Sequence, residues 1–124
     1  MSTGWYILIV EDDPASSSVL QYILNYNGAK VDIAANGEQA LQHLKQRLYD
    51  LAIVDMNLPQ MSGWSLLDNI KKNAAMAQQR CIALTAYYDP KVALEAERAG
   101  FEACFPKPVE PSFIETLKQI LAAE

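Results

Sequence analysis

Short, nearly unbroken apolar runs recur along the chain. Tyr6–Val10, Leu51–Val54, Cys81–Leu84 and the weaker Ala103–Phe105 stand out. Val31–Ala34 is a fifth segment, bounded by the turn-forming pairs Asn27-Gly28 and Asn36-Gly37. Runs that do not alternate apolar with polar residues predict strands covered on both faces, as in a parallel sheet. Between them, apolar residues return at helical spacing. Val19, Leu20, Ile23 and Leu24 follow Pro14, which suits a first helical turn. Ala40, Leu41, Leu44 and Leu48 follow Asn36, a natural N-cap. Leu66, Leu67 and Ile70 mark a third helix. Val92, Ala93, Ala96 and Ala99 mark a fourth, capped by Asp89 with Pro90 in its first turn. Phe113, Ile114, Leu117, Ile120 and Leu121 mark a fifth behind Pro111. The order predicted is βαβαβαβαβα. Right-handed helical crossovers then give an α/β fold, a doubly wound open parallel sheet.

Length and charge narrow the possibilities. The 124 residues suit one domain spanning 1–124, with an ordered core over about 5–122. Hydrophobic residues make up 51%, enough for a core, and the net charge of -5 speaks against direct nucleic-acid binding. No apolar run approaches the roughly 20 residues that span a bilayer. Met1–Gly4 leads straight into a strand pattern without the basic and apolar regions of a signal peptide, so a cytoplasmic location is expected. Cys81 and Cys104 are too few for a disulfide framework and read as reduced, core-filling residues.

A doubly wound sheet places its chemistry beyond the carboxyl ends of the strands, where the winding reverses. Glu11, Asp12 and Asp13 follow the first strand, Asp55 ends the third, Thr85-Ala86 ends the fourth, and Lys107-Pro108 follows the fifth. Acids, a hydroxyl and an ammonium from distant segments therefore gather on one edge. Glu11, Asp12 and Asp55 would repel one another there, and burial would raise their pKa values. A hard divalent cation such as Mg²⁺, which takes oxygen ligands, relieves that repulsion, and Lys107 adds compensating charge. A phosphoryl group on Asp55 would be held by the cation, Lys107 and the Thr85 hydroxyl.

Taken in order, Ile9-Val10-Glu11-Asp12, Asp55-Met56-Asn57-Leu58-Pro59, Met61-Ser62-Gly63, Thr85-Ala86 and Lys107-Pro108 resemble the receiver domains of two-component response regulators. The likeness runs from about Trp5 to the last helix. It implies a flavodoxin-like (βα)5 sheet in strand order 2-1-3-4-5 and Mg²⁺ bound by Glu11 and Asp12. It also implies phosphoryl transfer to Asp55, the Asn57 backbone carbonyl as a metal ligand, and Thr85 and Lys107 as the switch hydroxyl and site lysine. A cis peptide before Pro108 is a further implication. The implied donor is a histidine kinase or histidine phosphotransfer protein. The chain then acts in phosphorelay signalling rather than as a turnover enzyme. Beyond Lys107 there is room for one helix, so no output domain is expected within this chain.

One position departs from that pattern. Three residues before the lysine, where the family carries Tyr or Phe, stands Cys104. Phe105 is no substitute, because neighbouring strand residues face opposite ways. Other residues have plainer readings. Asp13 favours the start of the first helix, His43 is a solvated helix residue, Trp64 packs, Gly63 serves the turn after the site, and Asp50 and Asp68 are solvated. Tyr87, two residues beyond Thr85, either covers the approach of water to a phosphoryl group or points into solvent or onto a neighbouring helix.

Two other classes share parts of this constellation. A phosphatase of the haloacid-dehalogenase type usually carries a second Asp two residues after its nucleophile, where this chain has Asn57. Its acid pair follows the nucleophile instead of preceding it. A flavin or nucleotide carrier on the same fold lacks support in a Gly-rich phosphate loop, because the first strand ends in acids.

Overall fold

The computed structural model describes residues 3–122. Five strands, β1 (Tyr6–Val10), β2 (Lys30–Ala34), β3 (Leu51–Asp55), β4 (Cys81–Thr85) and β5 (Cys104–Pro106), form one parallel sheet in the order β2-β1-β3-β4-β5. The helices are α1 (Pro14–Tyr26), α2 (Gly37–Gln46), α3 (Gly63–Lys72), α4 (Pro90–Ala99) and α5 (Phe113–Ala122). Every strand that the apolar runs predict is present, and β3 and β4 each extend one residue further, to Asp55 and Thr85.

Strand alternation divides the core into two layers. Ile7, Ile9, Leu51, Ile53, Ile82 and Leu84 face α1 and α5, where they meet Leu20, Leu24 and Leu117. Leu8, Val10, Ala52, Val54, Cys81 and Ala83 face the other way, against Ala40, Leu66, Leu67 and Ala96 of α2, α3 and α4. The β3 and β4 strands are buried along their whole length, which is why they read as unbroken apolar runs. Cys81 and Cys104 are free thiols buried in the second layer. Burial pushes the Cys81 thiol up to about 12, as suits a packing residue. Phe105 faces the opposite layer from Cys104 and meets Phe113 edge-on at 5.2 Å.

Polar side chains set the helix ends. Asp13, Asn36, Ser62 and Asp89 accept backbone N–H bonds in the first turns of α1, α2, α3 and α4. Asn36-Gly37 is therefore a helix start rather than a turn between elements. The periodicity misplaces Val19, Leu48 and Ala99, all of them exposed. Val19 is 53% exposed, on the outer side of α1. Leu48 lies beyond α2, because Arg47 turns extended at φ -168° and lays its guanidinium over the Tyr6 ring, 3.7 Å from the centroid. In α4 only Ala96 is buried, so the helix sits shallowly on the sheet.

Candidate functional site

β1 and β3 run side by side, with Val10 paired to Val54. The residues just past those partners, Glu11 and Asp55, consequently emerge together at the carboxyl edge of the sheet. Both are buried, whereas Asp12 is exposed. One carboxylate oxygen from each of Glu11, Asp12 and Asp55 lies within 4.8 Å of the others. Asp13 stands apart from this group. It caps α1, accepting the Ala15 N–H at 3.2 Å and the Ser16 hydroxyl at 3.0 Å.

Lys107 arrives from the other side. Its backbone N–H donates to the Thr85 carbonyl at 2.9 Å, which extends the β4–β5 ladder by one bond. The side chain then reaches across two strands. Its Nζ donates to Glu11 Oε1 at 2.5 Å and to Asp55 Oδ2 at 3.2 Å. The Lys107-Pro108 peptide is cis, in agreement with the expectation from sequence.

Asp55 is held at both oxygens. Oδ2 takes the lysine, and Oδ1 accepts the Asn57 N–H at 3.0 Å. The β3–α3 loop folds back over this point, and the Gly63 N–H donates to the Met56 carbonyl at 3.1 Å. A Cβ on Gly63 would lie 2.9 Å from the Met56 Cα and 3.0 Å from the Asp55 carbonyl oxygen. Gly63 thus permits the start of α3 to approach the backbone at the site. Thr85 is buried, and its Oγ1 accepts the Tyr87 N–H at 3.0 Å.

The electrostatics are those of crowded acids with insufficient positive charge. Burial pushes the Glu11 carboxyl up to about 7, and neighbouring Asp55 pushes in the same direction. The Lys107 hydrogen bond opposes both. For Lys107 burial acts to lower the pKa, but Glu11 and Asp55 outweigh it and raise the ammonium above its ordinary value. The donor set of several carboxylates, with carbonyls on the adjoining loop, suits a hard divalent cation. The acidic cluster is therefore compatible with a metal site.

Sequence reasoning missed one polar cluster at the opposite edge. The Tyr49 hydroxyl donates to Asp32 Oδ2 at 2.6 Å, and His43 Nδ1 lies 3.3 Å from the same hydroxyl. His43 is consequently half-buried in a network rather than free in solvent. Trp64 packs as expected, edge-on to Phe101 at 6.2 Å. Asp68 is exposed and pairs with Lys72, while Asp50 accepts the Tyr6 N–H at 2.8 Å.

Comparison with known proteins agrees with this geometry. The family described as response regulator receiver domain matches residues 7–119. Response regulator Rre1 of Synechocystis is 30% identical over 118 residues, which cover 94% of this chain and 51% of that protein. The chain thus spans about half the length of that curated relative. A putative response regulator from Chloroflexus aurantiacus superimposes with a TM-score of 0.87 at 31% identity, covering 97% of this chain and 99% of that one. The receiver domain of sensor histidine kinase PA1611 from Pseudomonas aeruginosa, solved with magnesium in its active-site cleft, gives 0.84 at 27%, covering 98% and 100%. Neither the phosphatase nor the flavin-carrier reading finds support in these matches. With the sheet order, the acid cluster and the matched residues in agreement, the chain belongs to the response regulator receiver domain family.

Proposed function

We propose that Asp55 accepts a phosphoryl group in a Mg²⁺-dependent reaction, and that the change of charge there switches a protein-interaction surface. The observation that carries this reading is the bridge from Lys107 Nζ to both Glu11 and Asp55 beside the acid cluster. Glu11, Asp12, Asp55 and the Asn57 backbone carbonyl are the groups that would hold the cation. Bound there, it would offset the carboxylate charge and bind phosphoryl oxygens. Asp55 is already fixed by its two hydrogen bonds, so its carboxylate enters the reaction with little freedom to lose. A carboxylate oxygen forms the new bond to phosphorus as the bond to the donor nitrogen breaks, and the imidazole leaves with the bonding pair. Lys107 and the Thr85 hydroxyl then bind oxygens of the transferred group.

The donor is a histidine kinase or histidine phosphotransfer protein. A groove of about 220 Å³ opens from the site between α1 and the segment after Lys107, lined by Glu11, Val19, Leu84, Lys107 and Val109. It continues past Tyr22, Tyr26 and Pro111 as a wider groove of about 650 Å³. The α1 sequence carries no charged residue, so a donor on this path is met by apolar and aromatic groups.

The chain is read as one receiver domain whose signal passes to a separate partner or output unit. It takes part in its own phosphorylation without turning over a small substrate. No helix among the described residues is long and apolar enough to cross a membrane, and a cytoplasmic setting fits such a domain.

The test is acetyl phosphate with and without Mg²⁺. Mg²⁺-dependent incorporation that disappears in Asp12→Ala is expected. Incorporation that is indifferent to both the metal and Asp12 would overturn the reading.

A further inference from the structure

The segment between Asp55 and α3 carries Asn57 and must be held in place if that backbone is to serve the site. Its tip has an unusual conformation. Gln60 adopts φ +67°, a left-handed backbone rarely taken by side-chain-bearing residues, and the Met61 N–H donates back to the Pro59 carbonyl at 2.6 Å. Pro59 and Gln60 are exposed, so the tip gains no burial of its own. The residues on either side turn inward: Leu58 is buried, and Met61 packs partly buried against the layer formed with α2, α3 and α4.

Met61 fits a particular notch. Gly37, the first residue of α2, is buried, and a Cβ built there would lie 2.5 Å from Met61 Sδ. That Cβ would also lie 3.2 Å from both Met61 Cβ and Met61 Cγ. Rotation of the thioether would relieve the first contact. The contact with Met61 Cβ is different, since Cβ moves only with the backbone of the loop. Asn69 of α3 closes the other side, its Nδ2 lying 3.8 Å from Met61 Sδ while it also donates to the Ser65 carbonyl. A methionine therefore fills a seam between two helices, where its flexible thioether adapts to irregular space.

We propose that Met61, seated in the notch left by the missing side chain of Gly37, is a positioning residue that holds the β3–α3 loop at the acid cluster and thereby places the Asn57 carbonyl. The start of α2 and the metal-binding loop then form one mechanical unit, although they are distant in sequence. A packed side chain of this kind offsets the cost of an unfavourable backbone at Gln60, which would otherwise relax. The inference rests on the reading of that carbonyl as a cation ligand, but the anchoring of the loop can be judged without any metal.

The test uses Met61→Ala, Met61→Leu, Gly37→Ala and the double variant Gly37→Ala/Met61→Ala in the full chain. Two quantities are measured: Mg²⁺ affinity by calorimetry, and amide exchange at residues 57–61 in metal-free protein. Met61→Ala should speed exchange and weaken Mg²⁺ binding by about ten-fold, as loss of groups supporting metal ligands commonly does. Met61→Leu, which keeps most of the packing, should stay near wild type.

Gly37→Ala makes the sharper case. Alanine in a helix is intrinsically better than glycine, so without the notch the change should be neutral or stabilising. With the notch it should loosen the loop. It should add less in Met61→Ala than in wild type, because the contacts with Sδ and Cγ are gone and only the 3.2 Å contact with Cβ remains. Wild-type exchange and affinity in Met61→Ala, or equal effects of Gly37→Ala in both backgrounds, would overturn the proposal. Absence of Mg²⁺ binding by wild type would refute the metal reading instead, and exchange at 57–61 would still decide the anchor.

Discussion

The oxygen of Thr85 that would contact a phosphoryl group is engaged with the backbone N–H of Tyr87, at 3.0 Å. A rotation of the Thr85 side chain that carries its oxygen toward Asp55 would remove that acceptor, so occupation of the site would loosen the hold on the β4–α4 loop. Beryllofluoride, which mimics the phosphoryl group, should therefore speed amide exchange at Tyr87 and alter protection into α4 and β5. With Cys104 in place of an aromatic ring, the change should be centred on the loop backbone. Protection changes confined to α1 and α2 would contradict this route.

Tyr87 should also govern how long the phosphorylated form lasts. Tyr87 is 72% exposed and tied to Thr85 only through its backbone N–H, so its ring is not held by packing and, swung toward Asp55, would lie across the path of an attacking water. Hydrolysis requires that water in line with the bond that breaks. After removal of donor, Tyr87→Ala should lose phosphoryl group faster than wild type at equal Mg²⁺. Equal or slower decay would show that the ring stays in solvent.

Removal of one acid should separate stability from function. Glu11, Asp12 and Asp55 repel one another in the metal-free protein, and Mg²⁺ should raise its melting temperature by mass action. Asp12→Ala should melt roughly 2–4 °C higher than wild type without metal, the shift expected when a modest repulsion is relieved in a small domain. It should gain nothing from Mg²⁺. A variant that melts lower without metal and still responds to Mg²⁺ would show that Asp12 is not a ligand.

Much of this was legible from sequence, for a physical reason. β3 and β4 are buried on both faces, so their residues must be apolar until the chain emerges, and the first polar residues, Asp55 and Thr85, are then members of the candidate site. Contacts between elements were not legible in this way. Helical spacing alone could not tell that Val19 faces outward, because it borders the apolar stripe of α1. Leu48 follows the same period as Leu44, yet stacking of Arg47 on Tyr6 pulls the chain out of the helix first. Tyr49 reaches Asp32 across 17 residues and Gln79 across 30, and no local pattern encodes such pairs. The fit of Met61 to Gly37 is likewise a property of packed surfaces.

The Arg80–Glu102 pair supplies a pH signature away from the site. Arg80 Nε and Nη2 donate to Glu102 at 2.7 and 2.8 Å, and Nη2 also donates to the Ile120 carbonyl, tying α5 to the sheet edge. The Arg80 hydrogen bonds hold the Glu102 carboxyl below its ordinary 4.5, with burial opposing them. A carboxyl whose folded pKa is depressed contributes stability above its unfolded pKa and loses it as pH falls through the folded one. Because both side chains are about one-third exposed, Glu102→Gln should cost only about 0.5–1 kcal/mol at pH 7. The gap from wild type in urea midpoints should hold down to about pH 4.5 and close below it. A gap that is constant down to the acid limit of folding would mean that packing, not charge, is responsible.

The groove beside α1 predicts a difference between donors. Tyr22 is 70% exposed and its ring stacks with that of Tyr26, 6.3 Å between centroids, on a helix without charges. Tyr22→Lys should slow transfer from a phosphohistidine protein by roughly five- to ten-fold, the effect of losing one aromatic anchor, while transfer from acetyl phosphate continues unchanged. Equal slowing with both donors would place the defect in the site instead of the docking path.

The most direct measurement is the location of the phosphoryl group. After incubation with Mg²⁺ and acetyl phosphate, the labile adduct is trapped by reduction and the chain is mapped peptide by peptide. A single modified residue, Asp55, is expected, with no efficient labelling of Asp55→Asn. Labelling of that variant at the wild-type rate, or an adduct on another side chain, would contradict that assignment.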